Sequence, residues 1–329
     1  MTTVAINGFG RIGRRVFRLL QEYKNIKVVA INDLADAKTL AHLLKYDSVH
    51  GLFNGHISSD ESHIIINNEN VPLLRETHPK TIDWSPYNVD FVIESTGKFK
   101  STSELNYHVK NGAKKVILSV PSIEDDIKTI VLGVNDDSLD GSETIISNAS
   151  CTTNNAAPMI DIVNKLCGID QAYITTVHSY TTDQSLHDQP HRDLRRSRAA
   201  SQSIVPTTTG AAKALTKIFP ELSSVIGGCG IRVPVINGSL TDITFNVKET
   251  VSIEDINTAF KKAAQNDYKG ILEYTEDPIV SIDIIGNTHS CVFDSQMTSV
   301  IGNMVKIIGW YDNETGYSQR IIDLLCNLS

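Results

Sequence analysis

The chain has 329 residues, 41% of them hydrophobic and 21% charged, which is the length of about two domains and the composition of an ordinary globular protein with a full core. No apolar run approaches the roughly 20 residues that a membrane-spanning helix needs, and the N-terminus opens directly on a strand pattern, so no secretory leader is expected. The net charge of −8 argues against a general nucleic-acid binder or a membrane-surface binder.

The first pattern is Thr3-Val4-Ala5-Ile6-Asn7, a buried strand. Gly8-Phe9-Gly10-Arg11-Ile12-Gly13 follows and opens a helix with Ile12, Val16, Leu19 and Leu20 at helical spacing. A second apolar strand, residues 27–32, ends at Asp33. Strand, glycine loop, helix, strand and acid in this order predict a dinucleotide-binding unit. Gly8 permits the tight turn, Gly10 lets backbone approach a pyrophosphate, and Gly13 lets the helix close on the strand. Arg11 and Ile12 present amides to that pyrophosphate at the helix N-terminus. Asp33 can accept hydrogen bonds from ribose hydroxyls and would repel a 2′-phosphate, which favours NAD.

Residues 90–94 and 115–119 continue the alternation of short strands and helical patterns, so residues 1–150 predict a mainly parallel, doubly wound sheet. Thr96, Gly97 and Ser119 fall at the carboxyl ends of these strands, where ligands of such sheets bind.

The run Ser147-Asn148-Ala149-Ser150-Cys151-Thr152-Thr153-Asn154 comes next. Ala156, Met159, Ile160, Val163 and Leu166 then recur at helical spacing, which places Cys151 at a helix start. Amides and macrodipole there favour a thiolate, and a thiolate is a nucleophile. Beyond this helix the texture changes to an α+β second domain: strands at 172–177, 240–247 and 304–309, a helix after the capping pair Ser252 and Asp255, and a last helix over 315–328. Residues 179–205 have little apolar pattern and many polar groups. A loop this long in a compact domain is functional or disordered. The five cysteines are Cys151, Cys167, Cys229, Cys291 and Cys326. They are odd in number and lack metal-ligand spacing, so no metal is expected and a reduced, cytoplasmic setting fits best. The last four read as small buried hydrophobes.

Taken together, these segments resemble the phosphorylating glyceraldehyde-3-phosphate dehydrogenases from end to end. The resemblance rests on residues 6–13 and 147–154, Lys45-Tyr46-Asp47-Ser48 and Glu94-Ser95-Thr96-Gly97. It continues through Thr176-Val177-His178, residues 208–213, Arg232-Val233-Pro234 and Trp310-Tyr311-Asp312-Asn313-Glu314. It implies a Rossmann-type first domain, residues 1–150, joined by the C-terminal helix 315–329, and a catalytic domain, residues 151–314, on a mixed, largely antiparallel sheet.

The same resemblance implies glyceraldehyde 3-phosphate, NAD and inorganic phosphate as reactants, Cys151 as nucleophile and His178 as its partner. The imidazole would either stabilise the thiolate as a cation or take a proton as a neutral base. Thr181 and Arg232 would hold the substrate phosphate with Asp183 orienting them. Ser150, Thr152, Thr209 and Gly210 would form the inorganic-phosphate site, and Arg196 would reach both. Asn313 would bond the nicotinamide carboxamide, and Thr77 would touch the adenine side at a position that often carries Arg. Residues 179–205 would be a loop at the core of a homotetramer, with Arg195 and Arg198 in intersubunit or surface pairing. One departure from the family pattern is Asn155, where a second Cys is usual. Competing readings are an erythrose-4-phosphate dehydrogenase of the same superfamily and a catalytically idle NAD-binding interaction protein.

Overall fold

The computed structural model describes residues 1–329, and they fall into two compact units. The first comprises Met1–Ile130, Asp137–Ala149 and Ser318–Ser329; the second comprises Val131–Asp136 and Ser150–Tyr317.

The first unit is built on a nine-stranded sheet. Its order is Lys128–Thr129, Ile145–Ser147, Lys115–Leu118, Phe91–Glu94, Thr2–Asn7, Ile26–Asn32, Glu69–Leu74, His63–Ile66 and Ile57–Ser59. The first seven strands pair parallel and the last two add an antiparallel extension. Buried strands such as Phe91–Glu94 carry side chains that are apolar on both faces, as a sheet covered on two sides requires. The antiparallel extension was not anticipated. Its signal is Asn67-Asn68, both with positive φ (50° and 71°), the backbone that a tight hairpin turn demands and that Asn tolerates. The core gathers Trp84, Val92, Phe99, Leu105, Val116 and Leu118. Register places Asn7 level with both Asn32 and Glu94, so three polar side chains end their strands side by side.

The second unit carries an eight-stranded mixed sheet. Its order is Val205–Thr207, Ile226–Val233, Ile169–Ser179, Ser239–Val247, Met304–Tyr311, Cys291–Asp294 and Leu272–Thr275, with Ser299–Ile301 also paired to Met304–Tyr311. Five of its pairings are antiparallel and two parallel. Helices Cys151–Cys167, Ala211–Ile218 and Ile253–Gln265 pack on it. Ser252 and Asp255 form the expected capping box. On the central strand Ile169–Ser179, Ala172, Ile174, Thr176 and His178 are buried, while Tyr173 is exposed and Thr175 and Val177 are half-buried. The helices therefore cover one face, and His178 lies on it. Residues 180–204 form turns and bends with one short 3-10 segment, Ala200–Gln202.

The cysteines differ from expectation. Cys167 and Cys291 are buried, but Cys229 is half-buried and Cys326 is exposed. Cys326 follows the packed stripe Ile321, Leu324 and Leu325 of the last helix, Thr315–Asn327, and falls on its open side.

Candidate active site

Cys151 is the first residue of the helix Cys151–Cys167. Ser150 caps that helix: its Oγ accepts from the Thr153 amide at 3.1 Å. Ala149, just before the cap, has φ +56°, a region that non-glycine residues rarely enter. The first turn contains no acid, so nothing offsets the positive end of the macrodipole beside the sulfur. One turn along, the buried amide of Asn155 donates to the carbonyls of Ser290, Gly309 and Trp310 at 3.2–3.3 Å. A thiol could not tie the helix to those three carbonyls, which accounts for Asn at this position.

His178 comes to the same place from the central strand. Its Nε2 lies 3.4 Å from Cys151 Sγ. Its Nδ1 is 2.7 Å from the Ser179 carbonyl and 2.7 Å from Arg232 Nη1. Arg232 stands opposite His178 in the parallel pairing with Ile226–Val233, so strand register alone puts the guanidinium beside the imidazole. Burial first and the Arg232 charge second push His178 down to about 3, against the Ser179 carbonyl. Both causes disfavour the charged ring. Burial pushes the Cys151 thiol up, while the Arg232 charge and hydrogen bonding at Thr152 pull the other way. The positive charge that faces the sulfur is therefore that of Arg232.

Tyr311 locks this corner from behind. Its phenol is 1% exposed and hydrogen-bonds the hydroxyls of Thr152 and Thr176 at 2.8 and 2.9 Å. One belongs to the Cys151 helix and the other to the His178 strand.

The anion-binding candidates group around a second cation. Arg196 pairs with Asp183, and its Nε donates to Thr207 Oγ1 at 3.0 Å. Asp183 was expected to orient Thr181 and Arg232, but its carboxylate faces Arg196, which the loop folds back onto it. Thr209 and Gly210 precede the helix Ala211–Ile218, with Thr209 Oγ1 accepting from the Ala211 amide at 3.2 Å. Arg198, read as making an intersubunit or surface pairing, pairs with Asp188 of its own loop at 2.8 Å.

In the first unit the glycine loop is shaped as expected for a dinucleotide. A Cβ on Gly8 would lie 2.6 Å from the Thr96 amide nitrogen, and one on Gly13 would strike the Gly8 carbonyl. A Cβ on Gly10 would meet nothing within 4 Å, so that position faces open space at the start of helix Arg11–Leu20, where an anion is favoured. Beside it is a cavity of about 300 Å³ lined by Gly10, Asn32, Asp33, Thr77, Thr96 and Phe99 among others. Asp33 accepts from the Phe9 amide at 2.7 Å and the Ala35 amide at 3.1 Å. Gly97 has φ +67°, and Ser119 is buried with its amide on the Glu94 carbonyl. These features fit a bound dinucleotide. In the second unit Asn313 Oδ1 accepts from the hydroxyls of Ser179 and Ser239, both at 2.9 Å.

Two family models match the chain. "Glyceraldehyde 3-phosphate dehydrogenase, NAD binding domain" covers residues 2–102, and "Glyceraldehyde 3-phosphate dehydrogenase, C-terminal domain" covers residues 150–313. The chain belongs to the glyceraldehyde-3-phosphate dehydrogenase family. Glyceraldehyde-3-phosphate dehydrogenase 1 of Bacillus cereus is 49% identical over 326 residues, 98% of this chain and 97% of the relative. The glyceraldehyde-3-phosphate dehydrogenases of Geobacillus stearothermophilus and Borreliella burgdorferi are each 50% identical over 98% of this chain, and over 96% and 98% of their own lengths. As a member of this family the chain is an NAD-dependent oxidoreductase.

Sequence reasoning missed the residues that hold this family's site in place. Tyr311 lies within the motif at 310–314, but nothing local marks its two hydroxyl partners. A second buried network supports the glycine loop. Glu94 accepts from Asn7 Nδ2 at 2.5 Å, the Thr96 amide at 2.9 Å and His108 Nε2 at 3.2 Å, while Trp84 Nε1 donates to His108 Nδ1 at 3.0 Å. Only the apolar setting of Glu94 at the end of its strand hinted at it.

Proposed function

We propose that this chain converts glyceraldehyde 3-phosphate, NAD and inorganic phosphate into 1,3-bisphosphoglycerate and NADH. The observation that carries the proposal is the approach of Cys151 Sγ to His178 Nε2 at 3.4 Å, in a chain of this family. The Cys151 thiol gives its proton to His178 Nε2, the sulfur adds to the aldehyde carbon, and the alkoxide takes that proton to form a hemithioacetal. His178 takes the hydroxyl proton at Nε2. Bound NAD supplies the acceptor for the hydride released from that carbon, which leaves a thioester on Cys151. An oxygen of inorganic phosphate then attacks the thioester carbon, the acyl phosphate departs, and the sulfur is released as thiolate.

Thr181 and Arg232 hold the substrate phosphate. Ser150, Thr152, Thr209 and Gly210 hold inorganic phosphate, and Arg196, kept in place by Asp183, serves both anions. Gly8, Gly10, Arg11, Ile12, Gly13, Asp33, Thr77, Thr96, Gly97 and Ser119 cradle the dinucleotide. Five free cysteines fit a reducing, cytoplasmic setting. NADH absorbance should grow beyond one equivalent per active site only when glyceraldehyde 3-phosphate, NAD and phosphate are all present. Cys151→Ser should abolish that growth while leaving NAD binding intact. Growth in the variant near the wild-type rate would end this assignment.

We also infer a homotetramer, since closed symmetric assemblies are the rule. Leu186, Leu194 and Ile204 of the long loop are 72%, 81% and 70% exposed, and Tyr173 stands on an open sheet face. Packing of these side chains against a neighbouring copy would take them out of water. Light scattering at micromolar concentration decides it, and a fully active monomer would refute the inference.

A further inference from the structure

His78 lines the first-unit cavity together with Asp33, Thr77 and Phe99. It precedes the 3-10 turn Pro79–Thr81 and caps it: the Lys80 amide donates to His78 Nδ1 at 3.0 Å. An Nδ1 that accepts keeps its lone pair, so the neutral ring carries its proton on Nε2. Two neighbours hold the ring. It meets Phe99 and Tyr107 edge-on, with centroids 5.1 and 5.8 Å apart and planes at 67° and 74°, and Phe99 is itself buried. Nε2–H is thus a donor of fixed direction, and no protein group accepts from it. The other polar side chains of the cavity are different. Asn32 Nδ2 is committed to Asn7 and to the Glu76 carbonyl, Ser95 Oγ to the Gly8 carbonyl and Thr96 Oγ1 to Glu94. Thr77 and Lys98 are exposed, so solvent competes for their donors.

We propose that His78 recognises the adenine base of the dinucleotide, with Nε2–H donating to one of its ring nitrogens. The inference rests on the reading that this cavity holds the adenosine end of NAD. Asp33 lines the same cavity, and a ribose bonded there leaves the base as the next group along the dinucleotide. Adenine is flat and largely apolar, which suits a wall made by Phe99, and its ring nitrogens accept hydrogen bonds. One placed donor in such a pocket orients the ligand and selects it. A base that offered no acceptor at that point would leave Nε2–H unpaired, and an unmade bond in a site closed to water costs more than a made one contributes. Asp33 then reads the sugar and His78 the base.

Dinucleotides in which CH replaces N1, N3 or N7 of the adenine test it, because each keeps the shape of NAD and removes one acceptor. Calorimetric titration gives their dissociation constants. In the wild-type protein one of the three should bind about tenfold more weakly than NAD. Two variants then separate recognition from folding. His78→Phe keeps a ring against Phe99 and Tyr107, and His78→Asn keeps an acceptor for the Lys80 amide. In both, NAD should bind about tenfold more weakly than in wild type, and the affected analogue should bind as NAD does. A merely structural role would weaken NAD and every analogue alike, and such unchanged ratios overturn the proposal. A wild-type protein that binds all three analogues as it binds NAD overturns it too. ADP-ribose, which carries the adenosine end without the nicotinamide, tests the underlying reading separately. Affinity for it that survives Gly10→Trp, a large side chain at the cavity wall, overturns the reading that the adenosine lies there.

Discussion

The ring of Tyr311 stands edge-on to the imidazole of His178, with centroids 5.9 Å apart and planes at 76°. The same side chain bridges Thr152 and Thr176, so it fixes the His178 ring and also the spacing between the two elements that bring sulfur and imidazole together. Tyr311→Phe keeps the ring and removes the hydroxyl. Leaving two buried threonine hydroxyls short of a partner should cost about 1–3 kcal/mol. The expected outcome is a lower thermal midpoint together with a reduced turnover number and a nearly unchanged KM for NAD. Unfolding curves and steady-state kinetics on one preparation check both.

His178 is buried at 4% exposure and held near 3, below the ordinary value of about 6.5. Between these values the unfolded chain binds a proton that the native site refuses. Stability contributed by this residue is therefore full above about 6.5 and falls as the pH drops toward 3. Replacing the imidazole by a group that does not titrate should remove that slope. The measurement is the urea midpoint of wild type and His178→Gln from pH 7.5 to 4.5. The variant should lose less stability on acidification, and equal slopes would disprove the account.

Glu94 has no exposed surface, and its carboxylate receives Asn7, Thr96 and His108. Glu94→Gln turns one acceptor oxygen into a donor facing other donors. The unfolding free energy should fall by about 3 kcal/mol, as expected when a buried charged network loses a member. Because Asn7, Asn32 and Thr96 line the first-unit cavity, NAD affinity should fall as well. Calorimetric titration with NAD tests this, and wild-type affinity in a destabilised variant would confine Glu94 to folding.

Asp33 takes two backbone amides in addition to whatever ribose hydroxyls it meets. Asp33→Ala should therefore loosen the loop at Phe9 as well as remove the carboxylate that repels a 2′-phosphate. Hydrogen bonds to a charged group are worth about 1.5–3 kcal/mol, which corresponds to about tenfold or more in efficiency with NAD. The loss with NADP should be smaller. The ratio of kcat/KM for the two cofactors reads the outcome, and an unshifted ratio would remove Asp33 from cofactor choice.

The parts of this molecule legible in the sequence are those decided within one turn or one strand. Gly8 and Gly13 announce themselves because backbone occupies the space that their side chains would need. Ser252 and Asp255 announce a helix start because the capping bonds span three residues. Cys151 and His178 could be named from their motifs, but the charge that faces the sulfur could not be assigned. Only the pairing of Thr176-Val177-His178 with Gly230-Ile231-Arg232 shows that it belongs to Arg232. The contacts of Tyr311 reach across 159 and 135 residues, and nothing near position 311 encodes them. Surface pairing was within expectation for Arg198, but its partner Asp188 could not be named, for a different reason. In a loop without periodicity, the fold-back of the chain decides which charges meet.

The eleven-residue strand Ile169–Ser179 also makes catalysis a gauge of folding. Its side chains alternate between a covered face and an open one, so a slip of one residue would turn His178 outward and bring Val177 in. Such a chain could be compact, with nearly native helix content, and still hold its imidazole on the wrong side of the sheet. Recovery of NADH formation during refolding therefore times the registration of the central strand, which circular dichroism and intrinsic fluorescence would both miss.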